Sequence, residues 1–290
     1  MFRLVLLGLV AVGCSSPLKL TEHRVTAPDG VIIHCVSAGA GTPALVFVHG
    51  WSCDHSYWEA QLPEFAAQHR VVAIDLPGHG RSGRNRQVWN LASYGADVAT
   101  VLEQLEIRDA VLVGHSMGGP VAVEAARRVP DRVTSIIGID TLHDIGTKPN
   151  PVQWEGQVIA SFERDFKGTC ARFVRSMFTA NADLALVERV ARNMSTASPA
   201  IAIALLREFG HHDGAAAVSA LKIPICCINS DLHPTQIEAN RRYAPQFDAH
   251  LIAGVGHFPM MERPAEFNKV LHSVLAAQAP ITPAVSRPSP

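Results

Sequence analysis

The chain has 290 residues, with 25 Lys and Arg against 26 Asp and Glu, so its formal net charge is −1. A near-neutral chain offers no electrostatic footprint for nucleic acid. At 48% hydrophobic and 18% charged it is too apolar for intrinsic disorder. Its six cysteines are too few for a disulfide scaffold, and a core of this size needs no covalent or metal staple.

Taken in chain order, the first feature is Arg3 followed by an apolar run over residues 4–12. That run is far shorter than the roughly 20 residues that span a bilayer. A short apolar run ending in small residues is a secretory signal pattern. The ending Ala11-Val12-Gly13-Cys14 resembles the lipobox of bacterial lipoproteins, with Ala11 where leucine is usual. The resemblance implies a signal peptide over residues 1–13 and acylation of Cys14. The chain would then be exported and lipid-anchored to a membrane of the cell envelope, with a periplasmic or secreted form as the alternative. No later stretch reaches 18 uninterrupted apolar residues.

Residues 22–27 and 31–37 flank Pro28-Asp29-Gly30, which is hairpin turn chemistry. Short apolar runs follow at 44–48, 71–74, 110–113, 134–139, 223–228 and 249–253. They are continuous rather than alternating, as in parallel strands covered on both faces. Leu91, Tyr94, Val98, Val101 and Leu105 mark one face of a helix, and a second helix ends at Val129-Pro130. Strands alternating with helices predict an α/β fold: a mostly parallel sheet with helices on both faces. Between 134 and 223 the gap far exceeds the roughly 25 residues of one crossover. The surplus, residues 141–216, shows helical stretches at 157–166, 184–194 and 200–209 and is expected to form a helical cap over the ligand crevice. The core is then 14–140 with 217–278. Residues 279–290, with four prolines in twelve, are expected to be a disordered tail.

The strongest chemical signal is Gly114-His115-Ser116-Met117-Gly118, between a β-branched strand and a helix. Glycines two before and two after the serine let strand and helix approach closely while the hydroxyl stays exposed. A serine hydroxyl needs a base. His257, in Gly254-Val-Gly-His-Phe-Pro259, leaves the last strand at the same carboxyl edge. The base needs a carboxylate to hold its tautomer. Asp231 follows the strand just before the one delivering His257 and is the preferred acid; Asp140, one strand earlier, is the alternative. Val48-His49-Gly50-Trp51 is a strand and turn at that edge, so the Trp51 and Met117 amides are expected to form the oxyanion hole. His49, His79 and His115 sit in turn motifs and are read as structural. His211-His212-Asp213 lacks further ligand spacing, so no metal site is expected. Cys226 and Cys227 read as buried strand residues, and nothing in the spacing supports a Cys53–Cys170 bridge.

Together, His49-Gly-Trp51, Asp75-Leu-Pro-Gly-His-Gly-Arg-Ser82, the Ser116 elbow and Gly256-His257-Phe-Pro resemble the α/β-hydrolase superfamily. The capped layout is similar to its esterase, perhydrolase and carbon–carbon hydrolase branch. Relatives that dehalogenate or open epoxides carry aspartate where Ser116 stands. The resemblance implies a serine hydrolase acting on small-molecule carboxylic esters, with no cofactor. A carbon–carbon or amide (aminopeptidase-like) hydrolase and a non-catalytic binding protein are the alternatives. The acid loop, Asn229-Ser-Asp231, departs from the Gly-x-x-Asp pattern of the superfamily.

Overall fold

The structure, a computed structural model, describes residues 18–148 and 150–278. The expected signal peptide over residues 1–13, Cys14 and residues 279–290 lie outside the described residues.

One eight-stranded sheet organises the chain, in the order β1-β2-β4-β3-β5-β6-β7-β8. The hairpin comes first, as β1 (Thr21–Thr26) and β2 (Ile32–Ala38). Gly30 takes φ +83 in its turn, where a side chain would be strained. β2 pairs antiparallel with both β1 and β4 (Val71–Asp75). From β4 onward every pairing is parallel, through β3 (Ala44–Val48), β5 (Ala110–His115), β6 (Val133–Ile139), β7 (Ile225–Ser230) and β8 (Asp248–Ile252). β3, β4 and β5 are buried along their whole length, which is why their apolar runs are unbroken.

Two strands differ from expectation. β7 begins at Ile225, not 223, because Pro224 has no N–H to donate to a ladder. β8 is not covered on both faces: it ends the sheet order, has one neighbour and leaves Leu251 55% exposed.

Helix Leu91–Gln104 buries Leu91, Tyr94, Val98 and Val101, the periodic face read from the sequence, and Asn90 caps it by accepting from the Ser93 amide. Helix Gly118–Arg128 stops at Val129, one residue before Pro130. Among the described residues between 141 and 216 there are helices and no strand. Leu184–Met194 and Pro199–Phe209 match the expected stretches. The expected 157–166 helix is instead divided into a π-turn at Trp154–Ile159 and helix Ala160–Arg164. Asp165, at φ −150, ends it there and caps the following helix, Phe166–Ser176, by accepting from the Gly168 amide.

Cys35, Cys53, Cys170, Cys226 and Cys227 are buried free thiols, so Cys53 and Cys170 are not bridged. No described helix is long and apolar enough to cross a membrane.

Candidate active site

The carboxyl ends of β3, β5 and β6 and the loop after β8 meet beneath the helices of residues 151–219. Ser116 follows β5 at φ +52, a conformation that L-residues rarely adopt. The flanking glycines are required by contact. A Cβ on Gly114 would lie 2.3 Å from Gly118 O, and one on Gly118 would lie 2.3 Å from Val48 O. The elbow therefore packs at backbone distance against β3. The three turn histidines are structural, as the sequence suggested. His49 holds Gly50 O through Nδ1 and accepts the Leu76 amide at Nε2. His79 ties Pro77 O to the Ser52 amide. His115 donates from Nε2 to His257 O at 2.8 Å, and burial pushes its pKa down to about 3, so it bonds as a neutral ring.

His257 has a carboxylate partner, and it is not the one preferred from the sequence. His257 Nδ1 lies 2.5 Å from Asp140 Oδ2, whereas Asp231 is exposed and accepts from the Gly254 amide at 2.9 Å. The reason lies in the backbone. Asp140 turns off the end of β6 at φ +44, buried, with its Oδ1 accepting the Ser230 amide at 2.7 Å. The end of β7 thus contributes a backbone donor to Asp140. Asp231, one residue further, is directed to the exit of β8 at Gly254, three residues short of His257. Burial would raise the Asp140 carboxyl, but His143 and His257 hold it well below the usual carboxylate range.

Three residues with a part in this arrangement were not picked out from the sequence. Glu262 accepts from the Gly256 and Phe258 amides on either side of His257 and so shapes its loop. Burial pushes the Glu262 carboxyl up. Asn229 and His143 form a polar cluster beside Asp140. Glu262 had a faint signal, an acid in the first turn of the short helix Pro259–Glu262. His143 and Asn229 had none, since their meeting depends on the pairing of β6 with β7.

Ser116, His257 and Asp140 all line one cavity of about 510 Å3. Trp51 and Met117 line it too, and among the described residues neither amide has a hydrogen-bond partner. Met117 caps helix Gly118–Arg128, where N–H groups lack partners within the helix. Trp51 Nε1 donates to Ala202 O at 2.8 Å, tying the turn after β3 to the helices above it. Trp154, Phe173, Met177 and Met194 form part of the wall, while Phe162, Phe166 and Phe178 are buried in packing.

No metal grouping appears at His211-His212-Asp213: Asp213 caps helix Gly214–Ser219 and pairs with Lys148. Away from the cavity, His34, His55 and Asp75 hold ligand-type atoms within 4.8 Å of one another. There the Asp75 carboxylate already accepts from both Nδ1 atoms and from the His55 and Arg81 amides, so the group is a hydrogen-bonded hub joining the end of β4 to β2 and to the segments at His55 and Arg81.

A strained serine at a strand–helix turn, a carboxylate-held histidine and two amides without partners beside one cavity, on a mostly parallel sheet, define a protein with the α/β-hydrolase architecture. The profile of the Alpha/beta hydrolase family matches residues 45–270, and the chain belongs to that family. The pimeloyl-[acyl-carrier protein] methyl ester esterase of Edwardsiella ictaluri is 30% identical over 253 residues, covering 80% of this chain and 92% of that protein. Several other curated relatives match this chain over only 26–56% of their own length. The acetyltransferase component of the acetoin cleaving system of Cupriavidus necator is 35% identical over 139 residues, 48% of this chain and 37% of the relative. Among solved structures, an esterase from Exiguobacterium antarcticum superposes with a TM-score of 0.80 at 17% identity, over 88% of this chain and 100% of that one.

Proposed function

We propose that the protein is a serine hydrolase that cleaves small-molecule carboxylic esters through an acyl-enzyme intermediate. The observation that carries this reading is the Asp140–His257 contact on the cavity that also holds the strained Ser116. Ser116 Oγ attacks the ester carbonyl while His257 takes its proton. Asp140 keeps the imidazole in the tautomer with Nε2 free to accept, and it stabilises the imidazolium. The Trp51 and Met117 amides receive the oxyanion. His257 then protonates the leaving alcohol, and water deacylates Ser116. The esterase relative from Edwardsiella ictaluri supports an ester over an amide or a carbon–carbon bond. A cavity of about 510 Å3 suits a small molecule. A fluorophosphonate probe is expected to label the peptide carrying Ser116, and a panel of neutral aryl and alkyl esters to be turned over. Absence of both labelling and turnover would instead mark a binding protein on a hydrolase scaffold.

For location, we propose export and lipid anchoring at Cys14, on the strength of the 4–12 apolar run and Ala11-Val-Gly-Cys14. Cys14→Ser is expected to release the protein from membrane fractions or to block its processing. A mature N-terminus found at Met1 by mass spectrometry would refute it.

A further inference from the structure

Asp140 has imidazoles on both sides. Its Oδ2 meets His257, and His143 Nε2 lies 3.7 Å from its Oδ1, beyond a direct hydrogen bond but within electrostatic contact. The role of His143 follows from where its proton must be. Asn229 is fully buried, so each proton of its amide needs a partner. Thr141 N donates to Asn229 Oδ1 at 3.2 Å, and Asn229 Nδ2 donates back to Thr141 O at 3.1 Å. That exchange fixes which end of the side chain is the amide nitrogen. Its second proton goes to Thr235 Oγ1 at 2.9 Å. The Thr235 hydroxyl, having accepted, is left to donate, and His143 Nδ1 lies 3.1 Å away. Asn229 Nδ2 also passes 3.3 Å from that Nδ1, so a proton there would oppose a second donor. His143 therefore carries its proton on Nε2, the nitrogen that faces Asp140.

Resting on the serine-hydrolase reading, we infer that His143 is a positioning residue for the acid. Its ring is held by Asn229 and Thr235 with the proton on Nε2, and that N–H dipole, 3.7 Å from Oδ1, acts with the Ser230 amide to favour the Asp140 orientation that offers Oδ2 to His257. His143 also lines the cavity, so a change there reaches the substrate as well as the acid.

The other titratable groups facing this cluster come from every neighbouring element. They are His115 at the end of β5, its ring 4.8 Å from His257, and Cys227 within β7. Glu262 lies behind the His257 loop, and the His233 ring is 6.1 Å from His143. All four stay in place when only His143 is changed, so a difference between two His143 variants isolates that side chain.

The test is kcat and KM against pH, from about pH 5 to about pH 9, for wild type, His143→Leu and His143→Gln. Leucine removes the donor, so the negative charge of Asp140 bears more fully on His257. The acid-side limb of kcat/KM is expected to move about half a unit to higher pH, and kcat to fall about tenfold. Glutamine restores an N–H toward Asp140 and is expected to keep the wild-type limb. If both variants shift alike, or neither limb moves and only KM changes, His143 is merely cavity wall and the inference is overturned. Should the leucine variant not fold, Thr235→Val removes the proton that sets the tautomer, together with the acceptor of the second Asn229 proton. Its limb is expected to move in the same sense by less, and an unmoved limb overturns the inference. Failure of the serine-hydrolase reading would show separately, as activity that survives Ser116→Ala.

Discussion

Ser116→Ala is expected to lower kcat by about 10⁴-fold or more while leaving the unfolding temperature within a few degrees of wild type. The size of the loss follows from the loss of the covalent route. Without the hydroxyl no acyl-enzyme can form, and only binding and oxyanion stabilisation remain. Retention of the fold follows from the surroundings of Ser116. Close packing at the elbow is carried by Gly114, Gly118 and Gly119, whose absent side chains would overlap Gly118 O, Val48 O and Thr141. Backbone bonds hold the turn in place, from the Ser116 amide to Ile139 O and from the Gly119 amide to Ser116 O. Alanine preserves both. The φ of +52 strains alanine as it strains serine, so the variant adds no new backbone cost. Ester turnover within tenfold of wild type would remove Ser116 from the nucleophile position.

Asp140→Asn is expected to cost about 10⁴-fold in kcat, against a few-fold at most for Asp231→Asn. Asparagine keeps the shape of Asp140 but turns an anion into a neutral amide whose nitrogen can point at His257. The imidazole then loses the partner that fixes its tautomer and the charge that balances the imidazolium. Asp231 touches only the Gly254 amide and is exposed, so water can replace its carboxylate there. Burial makes the Asp140 substitution the riskier one for folding, because the Ser230 amide relies on its Oδ1. Thermal unfolding of both variants separates the two effects. A larger loss of kcat in the Asp231 variant, at equal stability, would return the acid to the loop after β7.

Much of this protein is legible in its sequence. The apolar runs, the hairpin turn at Pro28-Asp29-Gly30 and the glycines around Ser116 each encode their structure through neighbours in the chain. A turn that needs φ above zero, or a strand covered on both faces, leaves its mark within a few residues. The same holds for the helix over Leu91–Gln104, whose buried face repeats with the helical period. His257 could be placed because its loop follows the last strand of a parallel sheet and so must emerge at the edge that carries Ser116.

Tertiary structure alone decided which carboxylate meets that histidine. Asp140 and Asp231 both follow strands at the carboxyl edge, and local pattern ranks them only by strand order. The outcome depends on the turn of the backbone at the end of β6 and on the alignment of Ile139 with Ile228 in β7. That alignment brings the Ser230 amide to Asp140. It also gathers Asn229, Thr141, Thr235 and His143, which are up to 94 positions apart in the chain, into one hydrogen-bonded cluster. The covering of β8 was decided in the same way, because a strand at the end of a sheet and one in its middle can carry the same short apolar run. A single sequence records what each residue needs from its neighbours along the chain. Contacts made across strands are set by register, and register arises only when the whole sheet assembles.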